Sequence, residues 1–178
     1  MQYAHGGDIY TYKNLLDFSI NVNPLGPADA VVEAAARSLQ RIGEYPDSQS
    51  RELRNALAEK KGLAAEQFVI GNGAADLLFS LVLAVKPQKA LIVIPAFSEY
   101  ELALKTVGCE ILYHEVKKEN NFRLGTDLTE KITSELDFLF LCSPSNPAGQ
   151  AVEKEFLIKI AEKCEKERVR LVLDECFV

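Results

Sequence analysis

From about residue 66 onward, short β-rich runs alternate with stretches of helical period, and a turn signal opens each helix. The pattern predicts strands at 67–70, 89–94, 110–116, 137–142 and 170–174, with helices at 74–85, 98–107, 126–133 and 153–167. Strands separated by helices of this length imply βαβ units and a largely parallel sheet. Leu91-Ile92-Val93-Ile94 and Phe138-Leu139-Phe140-Leu141 are apolar at every position, which suits strands covered by helices on both faces. The expected class is α/β, a three-layer αβα arrangement around a mostly parallel sheet.

The first 65 residues follow a different rhythm. An extended, turn-rich arm, Asp17-Phe18-Ser19-Ile20-Asn21-Val22-Asn23-Pro24-Leu25-Gly26-Pro27, precedes a helix at about 29–41. Turn chemistry at Asn23-Pro24 and Gly26-Pro27 separates the two. Val31, Ala34, Ala35, Ser38, Leu39 and Ile42 fall on one face of that helix. Gly43-Glu44-Tyr45-Pro46-Asp47 then leads into a second helix at about 50–61. There is no internal repeat and no low-complexity segment.

Composition narrows the function classes. A chain of 178 residues supports one good core or at most two small ones, and 48% hydrophobic with 26% charged residues suits a globular protein. The net charge of -6 and dispersed lysines and arginines argue against nucleic acid as a partner. No apolar run approaches the roughly 18 residues a membrane span needs. The start, Met1-Gln2-Tyr3-Ala4-His5-Gly6-Gly7, lacks the basic-then-apolar form of a secretory signal, so a cytoplasmic protein is expected. Cys109, Cys142, Cys164 and Cys176 form no Cys-x-x-Cys pair and have no histidine at metal spacing. Three lie in apolar or amphipathic surroundings, as reduced core thiols do, and no structural metal is expected.

Four polar features fall at predicted strand ends, where open α/β sheets bind ligands. Ile70-Gly71-Asn72-Gly73-Ala74-Ala75-Asp76 runs from a strand straight into a helix. The N–H groups of Gly73, Ala74 and Ala75 could hold a phosphate at that helix start. The same residues would equally make a tight turn in which Asp76 complements the helix dipole. Pro95-Ala96-Phe97-Ser98-Glu99-Tyr100 places an aromatic, Phe97, where it could stack on a planar ring or simply join the core. Cys142-Ser143-Pro144-Ser145-Asn146-Pro147-Ala148-Gly149 is a stiff loop presenting Asn146 as a hydrogen-bond donor, or a plain turn. Asp174 closes an apolar run, where a carboxylate needs a partner, whether a ligand, a helix cap or an ion pair.

Taken together and in this order, the four motifs resemble the fold-type I pyridoxal 5′-phosphate enzymes, the class I/II aminotransferase superfamily. Within it, His5-Gly6-Gly7-Asp8-Ile9, the 17–27 arm and Tyr45-Pro46-Asp47 are similar to the threonine-phosphate decarboxylase group of cobalamin biosynthesis. The histidinol-phosphate aminotransferase group is the nearest alternative. The resemblance spans the whole chain and implies a division into 1–46, an N-terminal arm and helix with small-domain and dimer contacts, and 47–178, the first part of the cofactor-binding large domain.

The resemblance also implies roles. Gly73, Ala74 and Ala75 would bind the cofactor phosphate through main-chain N–H groups. Phe97 would stack on the pyridine ring, Asn146 would hydrogen-bond its phenolic oxygen, and Asp174 would pair with its nitrogen. His5 and Asn23 would contact a small phosphorylated amino-acid substrate, with Asn146 close by, and Tyr45 would reach the neighbouring subunit of a homodimer. Two departures from the wider superfamily stand out. Phe177 replaces the tyrosine many aminotransferases carry three residues beyond the aspartate, a loss the decarboxylase group shares, and Ala74 and Ala75 offer no hydroxyl to the phosphate.

The implied activity is decarboxylation of L-threonine O-3-phosphate to (R)-1-aminopropan-2-yl phosphate, with histidinol-phosphate transamination as the alternative. The family's Schiff-base lysine lies in a Ser-x-x-Lys-like segment beyond Asp174, and none of the 13 lysines stands in a matching context. The chain is therefore expected to be the N-terminal half of such an enzyme, incomplete in its sheet and inactive alone. A non-catalytic fragment or dimerisation partner is a further reading, and a nucleotide-binding α/β domain a weaker one.

Overall fold

The computed structural model describes residues 6–13 and 16–178 and divides into two compact units, Met1–Arg51 and Glu52–Val178. The second unit holds a four-stranded parallel sheet: β1 (Lys89–Ile94), β2 (Glu110–Glu115), β3 (Phe138–Cys142) and β4 (Arg170–Asp174), in the order β2-β1-β3-β4. In chain order its helices are α2 (Arg51–Lys61, whose first residue belongs to the other unit), α3 (Gly73–Val85), α4 (Ser98–Thr106), α5 (Leu128–Lys131) and α6 (Lys154–Glu167). α1 (Asp29–Ser38) lies in the first unit. The α/β class and the parallel sheet expected from the alternating pattern are what the chain forms.

Alternation along the strands sorts the side chains into two cores. Ala90, Ile92, Phe138 and Phe140 pack with Leu78 and Val82 of α3 and with Tyr100, Ala103 and Leu104 of α4. Leu91, Leu139 and Leu141 pack on the opposite face with Leu128 of α5 and with Ile160 and Cys164 of α6. All five residues of β3 are buried, which is why that segment carries no polar position. Asp137, just before β3, ties the strand starts together. Its carboxylate accepts the N–H groups of Gln88 (2.6 Å) and Lys89 (3.0 Å), and its carbonyl accepts the N–H of Arg170 (2.9 Å). Cys109, Cys142 and Cys164 are buried free thiols, as their surroundings in the sequence predict, and Cys176 is exposed.

Three expectations are corrected. The segment 67–70 forms no strand: Gln67 ends a 3-10 turn, Ala65–Gln67, and 68–70 continues without joining the sheet. β propensity favours extended backbone, but only a paired neighbour makes a strand. The helix expected at 126–133 shrinks to the single turn of α5, because 126–127 are a turn and Ile132 leaves with extended backbone. The helix expected at 29–41 ends at Ser38 and continues as a 3-10 turn, Leu39–Arg41. Its apolar face is not covered: α1 has no buried residue, and Val31, Leu39 and Ile42 are exposed. Among the described residues of its unit, no other helix longer than a single turn forms to cover that face. Among the described residues no helix is long and apolar enough to cross a membrane.

His114 on β2 is buried, and its Nδ1 makes no hydrogen bond among the described residues. Burial, reinforced by the Lys131 ammonium and opposed by Asp127, holds its pKa below the ordinary histidine value. The unfolded chain therefore takes up this proton first, so the stability His114 allows is present above about pH 6.5 and declines as pH falls below it. The apolar isostere His114→Leu should fold stably at neutral pH and lose less Tm than the wild type between about pH 7 and about pH 5. Thermal melts across that range check this, and identical slopes for both proteins would contradict it.

Candidate functional site

The sheet order creates a crevice. From β1 the chain crosses to β2 on one side, then returns as β3 on the other, so the loops after β1 and β3 diverge at their C-terminal ends. Phe97 stands in the first of these loops, immediately before α4, with extended backbone (φ -63°, ψ 128°). Its half-buried ring meets Tyr100 edge to face, with centroids 5.9 Å apart. Asn146 stands in the second loop, half-buried. That loop is held from several sides: Ser143 N–H donates to the Asp174 carbonyl (3.0 Å), Val152 N–H to Ser143 Oγ (3.0 Å), and Ser145 N–H to the Gln150 carbonyl (2.8 Å).

Asp174 ends β4 in register with Cys142 of β3. Its Oδ2 accepts the Tyr100 hydroxyl and its Oδ1 the Cys176 N–H (3.0 Å). Burial raises the carboxyl's pKa. Hydrogen bonds from the Cys176 thiol, the Tyr100 hydroxyl and the Cys176 N–H outweigh it, so the group stays below the usual aspartate value and is ionised at neutral pH. The same neighbours have the opposite effect on the donors. Burial, then the bond to Asp174, pushes the Tyr100 phenol far up, and the bond to Asp174, then burial, raises the Cys176 thiol to about 11. Cys142 is also raised, chiefly by burial. Both thiols are thus protonated and weakly nucleophilic at neutral pH.

At the start of α3 the chain turns through Gly71-Asn72-Gly73. Gly73 has φ +83°, a conformation that favours glycine, and a Cβ built there would meet nothing within 4 Å. Its own N–H donates to the Gly71 carbonyl (3.0 Å), and Asn72 N–H donates to the Asp76 carboxylate (2.8 Å). Ala74 and Ala75 follow in the first turn, where amides have no carbonyl one turn earlier to receive them. Ala74, Leu77, Leu78, Val172, Asp174 and Cys176 share one largely apolar concavity of about 350 Å³. A larger hollow of about 400 Å³ in the arm is walled by open surface residues such as Leu16 and Phe18.

The structure thus gathers Gly73, Ala74, Ala75, Phe97, Asn146 and Asp174 in one unit, on the helix starts and strand ends at one end of the sheet. His5 lies outside the described residues. Asn23 and Tyr45 belong to the other unit. The Asn23 Oδ1 accepts the Leu25 N–H (3.0 Å) in a side-chain-closed turn, and Tyr45 is fully exposed. Phe177 is exposed. Sequence reasoning missed the contacts of Tyr100 and Cys176 with Asp174. The spacing Phe97-x-x-Tyr100 signals only that these two rings meet, and no local pattern signals the bond from Tyr100 to Asp174, 74 residues later.

These residues suit a ligand with a phosphate at one end and a basic aromatic nitrogen at the other. The Gly73 N–H, expected to face a phosphate, is taken by the Gly71 carbonyl, which leaves the first-turn amides of Ala74 and Ala75 for an anion, and a carboxylate is held ionised at the end of β4. The chain belongs to the class I and II aminotransferases, a family of pyridoxal 5′-phosphate enzymes whose profile matches residues 13–178. It is 38% identical to threonine-phosphate decarboxylase of Salmonella typhimurium over 98% of this chain and 50% of that protein. It is 33% identical to histidinol-phosphate aminotransferase of Methanococcoides burtonii over 93% of this chain and 46% of that protein. Among solved structures, the histidinol-phosphate aminotransferase of Clostridium acetobutylicum superposes with a TM-score of 0.78 at 28% identity, covering 92% of this chain and 48% of that one. The chain spans about half the length of the curated relatives it matches.

Gly73→Ala should lower stability by about 1–2 kcal/mol, because the added Cβ meets open space and the cost is the left-handed backbone alone. Chemical denaturation with an unchanged m-value checks this. A stability equal to that of the wild type would show that the turn does not hold Gly73 in this conformation.

Proposed function

We propose that the whole protein is a pyridoxal 5′-phosphate-dependent decarboxylase that converts L-threonine O-3-phosphate to (R)-1-aminopropan-2-yl phosphate. The observation that carries the reading is Asp174: a carboxylate kept ionised by its own chain, at the end of a strand, beside the start of α3. The similarity to threonine-phosphate decarboxylase over nearly the full chain supports the choice of reaction. So does Phe177, which offers no hydroxyl where the aminotransferases often have one.

In this reading Ala74 and Ala75 present their amides to the cofactor phosphate, and Gly73 sets the turn that aims them. Phe97 covers one face of the cofactor ring and keeps water from it. The Asn146 side chain donates to the phenolic oxygen. Asp174 holds a proton at the ring nitrogen, and because the site is partly buried that ion pair is weakly screened. Held by these residues with its nitrogen protonated, the cofactor would supply an electron sink for the pair that loss of CO₂ leaves at the α-carbon, until a proton replaces the carboxyl group there. His5 and Asn23 are assigned to the phosphorylated substrate, and Tyr45 to a partner subunit of a cytoplasmic homodimer, on the family resemblance.

The second reading, histidinol-phosphate transamination, draws on the 33% identity to an enzyme of that name. The two separate cleanly in the full-length protein. The decarboxylase should release CO₂ from threonine phosphate in step with the phosphorylated amine, with no 2-oxo acid required. Amine transfer that depends on a 2-oxo acid and releases no CO₂ would overturn the proposal in favour of the second reading.

A further inference from the structure

We infer that Tyr100 is a positioning residue for this site, one side chain that fixes both the Asp174 carboxylate and the Phe97 ring. The inference rests on the cofactor reading above and deepens it.

Tyr100 is fully buried on α4, with its ring stacked on Phe140 of β3 at 5.4 Å and an interplanar angle of 30°. Phe97 meets the same ring at 88°, so the tilt of Phe97 is set against a surface that is itself clamped to the sheet. The hydroxyl reaches across to Asp174, 74 residues away on β4. Packing alone would be satisfied by phenylalanine, and a buried hydroxyl is costly without a partner. The partner here is Oδ2, while Oδ1 takes the Cys176 N–H. With a donor on each oxygen, and the Cys176 thiol as a further donor to the group, the carboxylate cannot turn about its own axis without breaking a hydrogen bond. An ionised carboxylate has about four acceptor sites, so one remains for a further donor. Burial and the adjacent negative charge keep the phenol protonated, so it remains a donor throughout the neutral range. Supporting contacts of this kind hold a functional carboxylate in its working geometry before the ligand arrives.

Tyr100→Phe in the full-length protein keeps the ring and removes the donor. Two readouts follow, neither of them turnover. In the cofactor-free protein, ¹³C NMR of the Asp174 carboxyl should show its titration midpoint moving up toward the ordinary aspartate value. In a spectroscopic titration, affinity for pyridoxal 5′-phosphate should fall about tenfold, the scale of one lost hydrogen bond to a charged group. Fluorotyrosine at position 100, a more acidic donor of nearly the same size, should move the Asp174 midpoint down. An unmoved midpoint in both variants overturns the inference. So does a shifted midpoint with unchanged cofactor affinity, provided that the wild type binds the cofactor. A wild type that takes up no cofactor overturns the parent reading instead, and this one with it.

Discussion

Strand β3 has no side chain facing water, and the sheet is built around that constraint. A strand buried on both faces needs a paired neighbour on each side and a helical layer above and below, since any gap would strand backbone polar groups in an apolar interior. β1 and β4 supply the neighbours, α3 and α4 one layer, and α5 and α6 the other. Asp137 sets the level at which the strands begin. Once those starts are aligned, parallel strands of similar length end at one level too. Phe97, Asn146 and Asp174 therefore emerge together although they are far apart in the chain.

The site is a product of that alignment rather than of any single motif. Each of its groups has an ordinary local explanation: a turn at Gly73, a core aromatic at Phe97, a stiff loop at Asn146, a strand-end carboxylate at Asp174. What changes their meaning is convergence at one end of a sheet whose strand order opens a crevice. The electrostatics follow from the packing. Asp174 is buried enough for its charge to act at short range, and three hydrogen bonds from its own chain keep that charge in place. The thiols around it are protonated and serve as donors or filler.

Much of this was legible from residue order alone, and the physical reasons are specific. Four apolar residues in succession at Phe138-Leu139-Phe140-Leu141 can only be a doubly covered strand or a buried helix, and a length of five with turn signals on both sides decides it. The strand expected at 67–70 failed because composition reports backbone preference, whereas strand formation depends on a partner that local sequence does not name. The apolar stripe of α1 was visible, but what covers it was not, since a moment shows a face and not its occupant. The Tyr100–Asp174 bond was hidden for a related reason. It joins a helix to a strand 74 residues later, and only the strand order brings them together.

The central claim is that Asp174, held ionised by its own chain, keeps a proton on the ring nitrogen of a bound pyridoxal phosphate. The most direct test is the ¹⁵N chemical shift of ring-labelled pyridoxal 5′-phosphate bound to the full-length protein at neutral pH, compared with the same measurement on Asp174→Asn. The account predicts the shift of a protonated pyridinium in the wild type and a move toward the neutral pyridine value in the variant. A neutral-pyridine shift in the wild type would contradict it.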